Sequence, residues 1–235
     1  MGEVIAAIAE AISQTSLWEW LAVISSLAYL LLAMRENNLC WYFAFASTLI
    51  YTLLFWDVSL LMDSALNVYY MGMAIYGWWY WQRGEASSDE ARNKKGGGAS
   101  RSGAQSDKGS EGLSKVNDKP QIRRWRLAHH GFAATGIVLL SILSGYLFAG
   151  YTDAAWPYVD SFTTWASVLT TWMVAQKILE NWLYWLVIDS VSLVLYVDRE
   201  LYLTAVLFAA YVIIVVFGFF NWLKRYRENQ AQYDE

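Results

Sequence analysis

Charge is absent from four long stretches of the chain: residues 39–56, 64–82, 131–152 and 201–223 carry no Asp, Glu, Lys or Arg. At about 1.5 Å of rise per helical residue, each is long enough, or nearly so, to cross about 30 Å of hydrocarbon. Residues 20–34, 161–176 and 181–196, the last with Asp189 inside it, complete a set of seven. A soluble fold would have to bury all seven in a core that 235 residues cannot supply. The pattern predicts an all-α polytopic membrane protein with seven transmembrane helices. Ahead of them, Val4, Ile5, Ile8 and Ile12 fall on one helical face, so residues 1–15 are expected to form an interfacial amphipathic helix. This segment has no Lys or Arg and carries Glu3 and Glu10, which argues against a cleavable signal peptide. Ser16-Leu17-Trp18-Glu19 reads as a capping box opening the first span.

Composition agrees, with 57% hydrophobic residues and a mean hydropathy of +0.26. The lone Cys40 excludes an internal disulfide framework. His129 and His130, at the mouth of the fourth span, read as interfacial anchors, because a metal site wants more ligands at helical spacing. No metal, cofactor or nucleic-acid partner is expected. Of the 17 Lys and Arg residues, eleven lie between Arg83 and Arg126, and Lys224, Arg225 and Arg227 follow the last span. Seven crossings put both groups on one side, together with Arg35 and Lys177, and leave only Arg199 opposite. The positive-inside rule then places the N-terminus outside and the C-terminus in the cytoplasm. Residues 84–121 are rich in Gly, Ser, Lys, Asp and Glu and cannot bury enough apolar surface to order themselves.

The spans before and after this linker resemble each other. Glu36-Asn37-x-Leu39-x-Trp41 recurs as Glu180-Asn181-x-Leu183-x-Trp185, an offset of 144. Further on the offset is 141: Asp57, Leu60, Leu66, Tyr70, Gly77 and Trp81 match Asp198, Leu201, Leu207, Tyr211, Gly218 and Trp222. Three spans reverse the chain and the single span 131–152 reverses it again, so two three-helix units enter from the same side as parallel repeats. The expected organisation is 1–15 interfacial helix, 16–82 first repeat, 83–128 flexible cytoplasmic linker, 129–152 connecting helix, 153–224 second repeat and 225–235 tail. Gly131, Ala133, Ala134 and Gly136 make the connector a candidate oligomer contact.

Candidate chemistry concentrates on the sixth span. An acid at mid-membrane depth costs several kcal/mol unless it faces a polar partner or cavity. Asn181, Trp182, Trp185, Asp189, Ser192 and Tyr196 share an arc of about 100°. A second arc of about 80° holds Asp63, Asn67, Tyr70, Ala74, Gly77 and Trp81, and the second span adds Trp41, Thr48, Tyr51, Thr52 and Phe55. Facing arcs of this kind form a pocket with mainly apolar walls and a few orienting polar groups. The plainer alternatives are an interfacial belt for the indoles and a structural hydrogen bond for Asp189. Trp18, Trp20, Trp56, Trp78, Trp79, Trp156 and Trp222 are expected to be belt anchors, and Asp57, Asp198, Arg199 and Glu200 to be solvated in outer turns. No carbonyl filter or Arg series suggests a channel, no phosphate loop suggests ATP-driven transport, and no nucleophile–base pair within the spans suggests an enzyme.

The stretch Glu180-Asn181-Trp182-Leu183-Tyr184-Trp185-Leu186-Val187-Ile188-Asp189, with Leu201-Tyr202-Leu203-Thr204-Ala205-Val206-Leu207 after it, resembles the signature of the PnuC vitamin transporters. Asn67-Val68-Tyr69-Tyr70 and Tyr76-Gly77-Trp78-Trp79-Tyr80-Trp81 add to the likeness, which covers most of both three-span units. The resemblance implies a SWEET-like fold, a homotrimer and uptake of nicotinamide riboside across a bacterial inner membrane. It also implies facilitated diffusion made one-way by phosphorylation of the cargo inside the cell. Relatives in the family carry thiamine or riboflavin. Thr171-Trp172 departs from the Gln-Trp expected in the fifth span. Indole faces attract a flat pyridinium cation by about 2 kcal/mol when desolvated. Asn67 and Asn181 can pair with its carboxamide, and Asp189 can accept ribose hydroxyls or offset charge. No span contains Pro, which favours rocking of the two units over a broken-helix mechanism. The competing reading from another class is a membrane scaffold or receptor whose linker recruits partners.

Overall fold

The structure is a computed structural model that describes residues 2–57, 61–96, 121–151 and 156–231. Eight helices account for almost all of them: α1 (Gly2–Gln14), α2 (Leu17–Met34), α3 (Cys40–Asp57), α4 (Leu61–Gly96), α5 (Leu127–Tyr151), α6 (Pro157–Ala175), α7 (Asn181–Asp198) and α8 (Tyr202–Ala231). The capping box at the start of α2 is formed: Glu19 N–H donates to Ser16 Oγ at 3.2 Å, and Ser16 N–H donates to Glu19 Oε2 at 2.7 Å. Pro157 opens α6, where its missing N–H has no helical partner to lose. The turns after α2, α6 and α7 each close with one left-handed residue, Glu36 and Lys177 at φ 54° and Glu200 at φ 59°.

Six helices close a ring. α2 packs on α3, α3 on α4, α4 on α6, α6 on α7, α7 on α8, and α8 back on α2. Among the described residues no contact joins α3 to α7, which stand opposite each other in the ring. α5 lies outside, against α6, and α1 lies against α8. The outer surface is apolar: Leu139, Ile142, Phe217 and Phe220 are all exposed, which only a hydrocarbon solvent makes favourable over so large an area. α2, α5 and α8 are each long and apolar enough to cross a membrane. The expected count of seven crossings is therefore met by length and composition only in these three. α3, α4, α6 and α7 spend their interior positions on Trp, Tyr, Ser, Thr and Asn, which lowers their hydropathy.

Helix boundaries fall at one constant spacing. α3 and α7 begin and end 141 residues apart, α4 and α8 begin 141 apart, and so do the left-handed residues Glu36 and Lys177. The expected offset of 144 around Glu36 and Trp41 is therefore corrected: Trp41 corresponds to Trp182, and Asn37 to Ile178. Glu36 and Glu180, matched by the shorter motif, do unrelated work.

The linker boundary also moves. α4 runs past Gln82 to Gly96, because Glu85, Ala86, Glu90, Ala91 and Arg92 are good helix formers and carry it over Gly84. At the other end of the linker, residues 121–126 are tied to the α6–α7 turn. Arg123 N–H donates to Lys177 O at 2.9 Å and Leu179 N–H donates to Arg123 O at 2.8 Å. Buried Glu180 takes Arg124 Nε at 2.9 Å and Trp125 N–H at 3.2 Å. Ile122 is buried in the main core. The remainder of the expected linker, residues 97–120, lies outside the described residues, as do the side chains of Val4, Ile5 and Asp63.

Candidate functional site

At the linker end of the ring, four indoles cross the middle. Trp41 meets Trp81 edge-on at 5.3 Å, Trp182 meets Trp222 edge-on at 5.4 Å, and Trp81 and Trp222 join the two pairs at 6.3 Å. Backbone carbonyls hold the central two: Trp81 Nε1–H donates to Ala175 O at 3.0 Å, and Trp222 Nε1–H donates to Ala33 O at 3.1 Å. Glycine makes room for the outer two. A Cβ at Gly77 would sit 2.3 Å from the Trp41 ring, and one at Gly218 would sit 2.4 Å from the Trp182 ring. That is the physical content of the Tyr-x6-Gly-x3-Trp ending shared by α4 and α8. Beside the indoles, Lys177 Nζ lies 3.1 Å from Glu36 and 4.6 Å from the Trp81 ring centre, and Arg225 reaches Glu36 at 3.2 Å. The linker end is shut.

The middle of the ring is different. Ser26, Thr48, Tyr70, Asp189 and Tyr211 each stand nine residues in from the far end of their helix, at Leu17, Asp57, Leu61, Asp198 and Tyr202 respectively. They form one layer, about 13 Å deep at about 1.5 Å per residue. In the 141 register Thr48 corresponds to Asp189, Tyr70 to Tyr211 and Ser26 to buried Ser167. The layer is thus symmetric except for one charge. Thr48 Oγ1 is bonded to its own helix at Ala44 O, 2.8 Å away. Asp189 is 5% exposed, and no described residue donates a hydrogen bond or forms an ion pair with its carboxylate. Around it, Ser26 Oγ and the Tyr211 hydroxyl lie 2.6 Å apart across the α2–α8 seam. Tyr211 lies within electrostatic range of Asp189, Tyr51 and Tyr196. Phe208 bridges Tyr196 and Tyr211, with ring centres at 4.9 and 5.4 Å.

The residues singled out from the sequence divide between these two levels. Asp189 and Thr48 stand at the middle level on opposite helices, Tyr196 lies nearer the far end of α7, and Asn67 and Tyr70 are half-buried on α4. Trp182, Trp41 and Asn181 belong to the closed end, where the two indoles are 1% and 2% exposed and Asn181 is fully buried. Neither indole keeps a free face for a ligand in this conformation. Their Nε1 atoms and Asn181 Oδ1 nevertheless have no hydrogen-bond partner among the described residues. Trp185 is half-buried between the main core and the smaller cluster of Ile137, Ala166 and Ile188. Sequence reasoning missed Ser26 and Tyr211 as site residues. Tyr211 carried a signal in its match to Tyr70, whereas Ser26 carried none.

Three assignments outside the site also change. Trp222 is fully buried and is not a belt anchor. Asp198 and Arg199 are not merely solvated: Trp156 Nε1–H donates to Asp198 at 3.0 Å, and Arg199 pairs with Asp160 at 2.8 Å. His130 Nδ1 lies 2.9 Å from the Tyr184 hydroxyl, so it is tied to α7 as well as sitting at the mouth of α5.

A buried carboxylate without a partner is costly unless a ligand or cation meets it. Orphaned donors and acceptors in the same interior call for partners too. Aromatic walls, hydroxyls and one charge suit a small polar molecule with a flat or cationic part.

Comparison with known proteins agrees. The profile of the family described as Nicotinamide mononucleotide transporter matches residues 16–224. The nicotinamide riboside transporter PnuC of Escherichia coli (strain K12) is 24% identical over 91% of this chain and 89% of its own length. The riboflavin/roseoflavin transporter RibM of Streptomyces davaonensis is 23% identical over 68% of this chain and 62% of its own. Those relatives are transporters. The crystal structure of the vitamin B3 transporter PnuC shares the fold, with a TM-score of 0.66 at 12% identity, covering 96% of this chain and 90% of that one. With that profile matching residues 16–224, the chain belongs to the nicotinamide mononucleotide transporter family, the family of the PnuC proteins.

Proposed function

We propose that this chain is a uniporter for nicotinamide riboside, with the cargo held in the middle of the six-helix ring. The observation that carries the reading is Asp189, a buried carboxylate with no partner among the described residues at the centre of an aromatic, hydroxyl-rich layer. A permanent pyridinium cation satisfies it; the neutral ring of riboflavin does not. Nicotinamide riboside adds a carboxamide, whose oxygen accepts and whose NH2 donates. That matches the orphaned indole N–H groups of Trp41 and Trp182 and the Asn181 oxygen once the indoles move. Thiamine is also a flat cation and is the rival cargo, with riboflavin behind it.

The constant 141 spacing supports two three-helix repeats, α2–α4 and α6–α8, arranged as 3+1+3 around α5 in a SWEET-like fold. Their seams are α4 against α6 and α8 against α2, and transport is their relative rocking. In this cycle the linker-end indoles and the Glu36–Lys177–Arg225 cluster form one gate. With the Lys and Arg bias, that gate faces the cytoplasm of a bacterial inner membrane, and the α1 end faces out. Net flow inward follows from consumption of the cargo inside, and the exposed outer face of α5 is the candidate contact for a homotrimer. Tight binding of nicotinamide riboside by purified protein, with thiamine and riboflavin at least tenfold weaker, is the expected result. Tight thiamine binding without nicotinamide riboside binding would overturn the choice of cargo.

A further inference from the structure

We propose that Tyr211 and Ser26, acting with Asp189, form a subsite that reads the neighbouring hydroxyls of a sugar arm on the cargo, and so select a riboside over the bare ring. This deepens the reading above and rests on it. Three helices bring the groups together at one depth. α2 supplies Ser26, α8 supplies Tyr211, and α7 supplies Asp189, with Tyr51 of α3 and Tyr196 of α7 in electrostatic range of Tyr211.

The chemistry of this shell is one-sided. A carboxylate only accepts, and it takes two adjacent O–H donors in a charge-assisted pair. Ser26 Oγ donates to Val23 O at 2.8 Å, so the Tyr211 hydroxyl donates to Ser26 Oγ at 2.6 Å and its oxygen is left to accept from a sugar hydroxyl. A flat aromatic ring offers no such donors, and a ring cation can neutralise Asp189 without engaging either hydroxyl.

The other repeat lacks the acid. Thr48 stands where Asp189 does, and its hydroxyl is spent on Ala44 O at 2.8 Å and Phe45 O at 3.1 Å. The hydroxyl-reading side is therefore the α2–α7–α8 side, and the cargo binds in one orientation with its sugar toward that seam. A site built to bond substrate hydroxyls rejects an analogue lacking them, because its own buried groups are then left unpaired.

The test compares nicotinamide riboside with 1-methylnicotinamide, which keeps the cationic ring and loses the sugar. Equilibrium binding to the purified full chain is measured for wild type, Tyr211→Phe and Ser26→Ala, with thermal melting of each. Wild type should prefer the riboside by tenfold or more. Tyr211→Phe should narrow that ratio five- to tenfold, and Ser26→Ala, which removes the other end of the same hydrogen bond, should narrow it two- to fivefold. A ratio unchanged in both variants, or one that is near unity in wild type, overturns the inference while riboside binding itself leaves the transport reading standing. Wild-type protein that binds neither ligand overturns both.

Discussion

Glu36→Gln should open the linker end of the ring. Glu36 and Lys177 occupy left-handed turn positions 141 residues apart and meet at 3.1 Å, with side chains 14% and 12% exposed. At that distance and an effective dielectric of about 20, the gross attraction is about 5 kcal/mol. Desolvation and side-chain ordering offset much of it. Arg225 adds little, being 41% exposed on its side of the pair. A net loss of about 1–3 kcal/mol from the closed state is the reasoned magnitude, a shift of roughly 5- to 150-fold in the closed-to-open ratio. Lys177 also leans on the Trp81 ring at 4.6 Å, so releasing it loosens the indole that fills the middle. The chain carries its own reporter, because Cys40 is the only cysteine and is fully buried beside this gate. Rates of maleimide labelling at Cys40 should rise by a similar factor in Glu36→Gln, while the rate in wild type stays low. Labelling unchanged in a variant that melts at the wild-type temperature would refute the idea that this ion cluster holds the gate.

Two further outcomes follow from the same packing. Gly218→Ala places a methyl carbon 2.4 Å from the Trp182 ring, so it should cost about 1–3 kcal/mol by overpacking. Thermal melting in detergent should show this, with Gly77→Ala behaving alike. Deleting residues 97–120 and keeping residues 121–126, which are tied to Lys177 and Glu180, should leave liposome uptake within twofold. Uptake that persists removes the support for the scaffold reading, and loss of uptake in a folded deletion would show that residues 97–120 take part in transport.

Much of this architecture was legible because lipid is a demanding solvent: long charge-free runs have few other uses. The inward arc of α7 was legible for the same reason, since Asp189 and Asn181 could not face hydrocarbon, and the structure buries both. What escaped depended on contacts between distant segments. The motif shared by Glu36 and Glu180 suggested an offset of 144, but the turn geometry that equates Glu36 with Lys177 is invisible in residue types. Trp222 looked like a belt residue because it lies near a span end, and only the carbonyl of Ala33 and the ring of Trp182 show it to be core. Residues 121–126 read as linker because their composition is polar, yet their backbone pairs with the α6–α7 turn. Ser26 is one of several small polar residues in α2, and nothing short of Tyr211 opposite it marks it out.

The central claim is that Asp189 meets a cationic cargo, and one comparison tests it most directly. Binding of nicotinamide riboside and of its neutral dihydro form should be measured on wild type and on Asp189→Asn, which keeps the shape and removes the charge. A contact with a charged partner is worth about 1.5–3 kcal/mol, so Asp189→Asn should lower affinity for the cation roughly 10- to 150-fold. It should change affinity for the neutral form far less. Equal affinities of folded wild type and Asp189→Asn for the cation would contradict the account and place the binding site elsewhere in the ring.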